Sequence, residues 1–172
     1  MISINPKYCA LIANGKKTVE VRKSEPKIHL PFKCYIYCTK SHDANDFLEL
    51  HRYDIGKALP MNQKVIGEFT CDAIENLNNL FEGERPYHLP YNGNCCLKEE
   101  ELESYGNGKR LYGWHISELT IYDDPLELGD FAKPCKGDCF NLCPYYAGKN
   151  EDCNRPKLTK PPQSWCYTEY IE

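Results

Sequence analysis

Two groups of residues in this 172-residue chain have types and spacings that could do chemistry. The first is Cys135-x3-Cys139-x3-Cys143-x9-Cys153. Four thiolates in one short stretch can surround a zinc ion tetrahedrally, and such a site would order a loop that has little core of its own. The spacing is not the paired C-x2-C of a zinc ribbon, and four reduced thiols or chance disulfides are the plainer alternative. The second group is Lys17, Glu20 and Arg22, with Lys16 beside them. Glu20 and Arg22 lie two apart, so on a strand they share a face and can form an ion pair or line one pocket. Lys17 has the opposite parity, yet at the mouth of a strand its long side chain can bend round. Together they offer an ammonium for phosphate, a guanidinium fork for a phosphate or base edge, and a carboxylate that can accept from the exocyclic amine of cytosine. The bland alternative is a solvated charged edge held by surface ion pairs. Trp114 and His115 follow a glycine. Trp114 is open to base stacking or core packing, and His115 to general-base work or a structural hydrogen bond.

These side chains need elements to position them. Asn5-Pro6 predicts a helix start, because Asn is a favoured N-cap and Pro a favoured first helical residue. Tyr8, Leu11 and Ile12 follow at helical spacing, and Asn14-Gly15 is a stop. A strand over 17–22 comes next, with Val19 and Val21 on one face and Thr18, Glu20 and Arg22 on the other. A second strand over 32–39 is apolar on both faces from Cys34 to Cys38. The polar stretch 40–60, with His42 and His51, predicts a short helix around 46–51. A strand over 64–72 carries Gly67, where a bulge or sharp bend is expected. Residues 76–94 read as turns, 97–102 as a helix start, and 111–116 with 119–122 as one long bent strand. A short helix over 125–131, a Cys-rich insert over 132–160 and a final strand at about 164–171 complete the reading. Strands with short helices between them predict an α+β fold, a small β-barrel in one domain spanning 1–172.

Composition bounds the function. An apolar fraction of 41% fits a globular protein, and no apolar run is long enough to cross a bilayer. The start Met1-Ile2-Ser3-Ile4-Asn5-Pro6 lacks the basic and apolar regions of a secretory signal, so the expected location is the cytoplasm. Thiols stay reduced there, and eleven cysteines cannot all pair. Cys34, Cys38 and Cys71 read as small core residues. A net charge of −4 weighs against indiscriminate nucleic-acid binding. Between Gly15 and His29, however, five cations (Lys16, Lys17, Arg22, Lys23, Lys27) face two carboxylates. No Gly-rich phosphate loop, HExxH helix or G-x-S-x-G elbow is present.

The run Gly15-Lys16-Lys17-Thr18-Val19-Glu20-Val21-Arg22, directly after a short helix, resembles the signature of the ASCH domain, one of the PUA-like barrels. Tyr112-Gly113-Trp114-His115-Ile116 and Pro161-Pro162-Gln163-Ser164-Trp165-Cys166-Tyr167 resemble a bacterial and phage subgroup of that family. The resemblance implies a partner that is RNA or a modified nucleoside, bound through Lys16, Lys17, Glu20, Arg22, Trp114 and His115. Some small ASCH proteins deacylate N-acetylated cytidine with a lysine, a threonine and a glutamate. That lysine falls on Lys17, whereas the threonine position is held by Glu20. Three functions follow in order. The first is a binding module for RNA or a modified nucleotide. The second is a nucleoside or RNA amidohydrolase, or a nuclease, with Lys17 catalytic. The third is a protein-interaction adaptor whose contact surface is a zinc-stabilised loop.

Overall fold

The computed structural model describes residues 1–40, 61–79, 85–134 and 155–171. The expected helix around 46–51, the Cys-rich insert beyond Pro134 and all four cysteines of its proposed zinc site lie outside the described residues. Among the described residues no group of three or more His, Cys, Asp or Glu side chains is placed to hold a metal ion. No described helix is long and apolar enough to cross a membrane.

The chain opens with strand β1 (Ile2–Ile4) and helix α1 (Pro6–Ala13). Asn5 caps α1 by accepting from the Lys7 amide at 3.0 Å, with Pro6 in the first turn. Strands β2 (Val19–Arg22), β3 (Phe32–Cys38), β4 (Val65–Cys71) and β5 (Ile74–Asn76) follow. Helix α2 (Glu99–Gly106) starts with three glutamates, whose charge suits the positive end of the helix dipole. Then come β6 (Tyr112–His115), β7 (Ser117–Leu126), a 3-10 turn (Leu128–Asp130), β8 (Phe131–Ala132) and β9 (Glu169–Tyr170).

These strands form a four-stranded sheet in the order β1-β3-β4-β7, a three-stranded sheet β2-β6-β5 and the small pair β8-β9. With β1 parallel to β3 and the remaining pairs antiparallel, the architecture is α+β with mixed sheets. The expected long bent strand is real: β6 and β7 meet at Ile116, where the chain passes from one sheet to the other. Gly67 sits where the β4–β7 register shifts, and a Cβ there would lie 2.3 Å from the Thr120 carbonyl oxygen. Only a residue without a side chain tolerates that approach. Two sequence expectations need correcting. The short helix over 125–131 is the end of β7 plus a 3-10 turn, because Leu126 is still paired with Val65. The final strand is only Glu169–Tyr170, because Pro161-Pro162 and a single bridge from Trp165 to Ile2 leave the approach irregular.

The core has two main parts. The larger gathers Ile2, Ile4, Cys9, Ile12, Ile36, Phe69 and Trp114, with Cys34, Cys38 and Cys71 as free buried thiols. The second joins Val19 and Val21 to Leu77, Tyr87, Leu102 and Leu111. Strand β2 therefore buries its valine face in one core and turns its charged face toward the other. That placement makes the site.

Candidate functional site

The site begins with how α1 ends. Gly15 adopts φ +68, a left-handed conformation that glycine takes without strain. The amides of Lys16 and Lys17 then both donate to the Leu11 carbonyl, at 2.8 and 3.0 Å. The amides of Thr18 and Val19 donate to Asn94 at 2.8 and 3.1 Å, and β2 then pairs antiparallel with β6. Lys17, just outside β2, is thus pinned on both sides, and its side chain bends onto the Glu20 face.

Three charges meet there in nearly complete burial: Lys17 is 2% exposed, Glu20 4% and Arg22 8%. The Lys17 ammonium donates to the Cys95 carbonyl at 2.6 Å, lies 3.2 Å from Glu20 Oε2 and sits 5.2 Å from the centre of the Tyr8 ring. Arg22 Nη1 donates to Glu20 Oε1 and, at 3.1 Å, to its neighbour's carbonyl; Nη2 donates to Ser3 O at 2.6 Å. Such compensation is what allows charges to leave water. It is incomplete. Glu20 Oε2 receives the ammonium's charge without a directed hydrogen bond, and Arg22 Nε has no partner.

The triad lines a pocket of about 240 Å3, with Tyr8 and Asn5 from α1 and its cap, Ser3 from β1, and Leu97, Glu101 and Tyr105 from the α2 side. Two carboxylates and two cations make the lining formally neutral. Such a lining offers a pattern of hydrogen-bonding groups more than an attraction for phosphate. Burial, then the nearby Glu101 and Glu20 carboxylates, raise the Tyr8 phenol above its ordinary value. Tyr8 accordingly keeps its proton at neutral pH and can donate.

No family model and no curated protein matches this chain. Solved structures do. The fold is similar to that of an ASCH protein. The ASCH protein from Zymomonas mobilis aligns with 22% identity and a TM-score of 0.49, over 74% of this chain and 71% of that one. Two single-substitution mutants of the same Zymomonas protein align with TM-scores of 0.48 and 0.49, at 22% and 23% identity, over 74% of this chain and 73% and 72% of theirs.

The structure brings Lys17, Glu20 and Arg22 of the ASCH-like motif together and disperses the other expected site residues. Lys16 is exposed on the turn after α1 and lines neither of two cavities. Trp114, opposite Glu20 in the β2–β6 register, is 1% exposed and packs edge-on to Phe32 and tilted to Trp165, both at 5.7 Å. It lines a separate, larger cavity. His115 points elsewhere again: its Nδ1 contacts Asp72 Oδ1 at 2.6 Å. The five-cation cluster divides as well. Lys23 lies 4.8 Å from the Tyr105 ring centre, and Lys27 lines the larger cavity. Sequence reasoning missed Tyr8, Glu101 and Tyr105. Tyr8 had a signal, since it lies on the helix leading into the motif. Glu101 and Tyr105 had none, because only the packing of α2 brings them across.

Proposed function

We propose that this chain is an ASCH-type, PUA-like protein that binds RNA or a modified nucleotide, with one base held in the Lys17–Glu20–Arg22 pocket. The observation that carries the reading is incomplete compensation on two pocket-lining residues: Arg22 Nε has no hydrogen-bond partner, and Glu20 Oε2 has the Lys17 ammonium at 3.2 Å but no directed hydrogen bond. Buried polar groups without partners cost stability, so their retention fits a ligand that supplies an amine to one and an acceptor to the other. A cytosine- or adenine-like edge, with an exocyclic amine beside a ring acceptor, offers that pattern. Tyr8 and Tyr105 add aromatic surface at the rim. Thermal melts with cytidine, N-acetylated cytidine, uridine, adenosine and short oligoribonucleotides test the reading. At about one hundred times its Kd a true ligand raises Tm by roughly 5–10 °C for a chain of this size. Tyr105→Ala, on the exposed rim, should reduce that shift without unfolding the protein. No Tm rise with any nucleoside or oligonucleotide overturns it.

Hydrolysis is the second reading, and one observation favours it: Lys17 is buried beside a carboxylate in a pocket wide enough for water. Glu20 is already engaged by two cations, however, and it occupies the position of the expected threonine. Acetate release from N-acetylated cytidine that disappears in Lys17→Ala would put turnover first. The adaptor reading would gain from a fold without a pocket and an exposed apolar patch on the cysteine loop; the described residues line two pockets, and that loop lies outside them. Cys135, Cys139, Cys143 and Cys153 remain a proposed zinc site on spacing alone. Protein purified under reducing conditions should carry about one equivalent, and metal-free protein whose Tm is unmoved by chelator would refute it.

A further inference from the structure

Both tryptophans of the chain, Trp114 and Trp165, line one cavity of about 840 Å3 that is separate from the Lys17 pocket. Phe32 and Tyr167 extend its aromatic wall. The rings are held in place. Trp165 Nε1 donates to Ser24 Oγ at 3.0 Å, and Tyr167 Oη accepts from the Lys27 amide at 2.7 Å. Trp165 stands tilted to Trp114 at 5.7 Å and Tyr167 edge-on to Trp165 at 5.4 Å. The wall stays partly open, with Tyr167 43% and Ile28 48% exposed.

Three features describe what would fill it. Trp114 forms the floor, with its Nε1 buried and without a hydrogen-bond partner. Lys27 and Lys133 line the cavity and form no ion pair among the described residues, while the lining carboxylate, Glu169, is taken by Arg155. The lining thiols offer no nucleophile: burial pushes Cys34 up to about 11 and also raises Cys166. Flat aromatic walls and two cations without an ion pair among the described residues fit a planar ring whose attached group carries negative charge.

We propose that this cavity is a stacking site for a second nucleobase of the same single-stranded nucleic acid, with its phosphate toward Lys27 and Lys133. The inference rests on the reading of the Lys17 pocket as a nucleotide site. Strand β1 links the two places: Met1 lines the cavity, and Ser3 lines the pocket. Two residues of strand span about 7 Å, so neighbouring nucleotides of one strand would occupy the two sites. The preferred ligand is therefore an oligonucleotide rather than a free nucleoside.

Both tryptophans line this cavity, and Trp165 lines it without lining the Lys17 pocket, so indole fluorescence reports on it. The probes are AMP, the hexanucleotide rA6 and ribose 5-phosphate. AMP and rA6 should quench saturably and ribose 5-phosphate should not, with rA6 binding at least about ten-fold more tightly than AMP because two sites act together. Tyr167→Ala should weaken AMP by roughly five-fold or more, the low end of a lost base–aromatic contact. Lys133→Ala should lower the salt slope of rA6 binding by about 0.7. Absence of quenching at millimolar AMP, quenching by ribose 5-phosphate alone, or quenching indifferent to Tyr167→Ala would each overturn the proposal. The two readings fail separately. Quenching that persists while Tyr105→Ala has no effect on rA6 removes the Lys17 pocket from the account. Binding that depends on Tyr105 with silent tryptophans removes the aromatic cavity.

Discussion

The polar pocket and the aromatic cavity are built in opposite ways. Three of the pocket's four charges come from six consecutive positions, Lys17 to Arg22, and pair with one another within nearly closed protein; the fourth, Glu101, comes from α2. The cavity draws Phe32 from β3, Trp114 from β6, Trp165 and Tyr167 from the tail, and Lys27 from the connection between β2 and β3. In the first, binding groups are also folding groups. In the second, Trp114 is core with Phe32 packed edge-on against it, and Trp165 and Tyr167 are each fixed by a single hydrogen bond. Recognition and stability should therefore separate in the cavity far more readily than in the pocket.

Trp114→Ala should show the largest effect, about 3–5 kcal/mol in urea unfolding, since it empties the packed floor shared by Phe32 and Trp165. A loss below about 1 kcal/mol would mean that Trp114 belongs with the loose wall. Glu20→Ala should follow at roughly 3 kcal/mol, because it strands two buried cations; pocket water keeps it at the low end. Adding Lys17→Met should recover part of that loss, and strict additivity in the double-mutant cycle would break the picture of a coupled triad. Tyr167→Phe removes one exposed hydrogen bond and should cost about 0.5–1 kcal/mol while keeping a ring for AMP to stack on. Asp72→Asn, away from both sites, should cost less than about 1 kcal/mol and leave rA6 binding unchanged. The His115 hydrogen bond holds the Asp72 carboxyl below its usual range. Its stabilisation is thus present above the ordinary carboxylate pKa and fades as pH falls through the depressed one. The acid limb of wild-type stability should accordingly be steeper than that of the variant, and identical limbs would show the contact to be idle.

The same contrast decides what could be read in advance. Helix α1, its Asn5 cap, the Gly15 stop and the alternation of β2 depend on neighbours in sequence, and all were legible. So was Gly67 as a place where strands crowd. Lys17 was readable as a member of the Glu20 face only because its chain is long enough to turn, an inference from reach rather than parity. Glu101 and Tyr105 were invisible because α2 reaches β2 through tertiary packing alone. Trp114 was open between stacking and packing, and it does the second while flooring a cavity assembled from six separate stretches that no local pattern connects. His115 stands next to it in sequence but on the opposite side of the sheet, as strand alternation demands.

The tail that supplies Trp165 and Tyr167 also covers the outer side of β1. Ser3 N donates to Ser164 O and Cys166 N to Met1 O, both at 2.9 Å, while Ser3 Oγ donates to Pro162 O at 2.7 Å. β1 ends its four-stranded sheet, so without these bonds its backbone would face outward as a template for another chain. Two prolines just before the covering residues prevent the tail itself from extending the ladder. Clipping the chain before Ser164 should accordingly leave a sticky edge, with association that grows with concentration and is reversed by adding back a peptide of the missing tail.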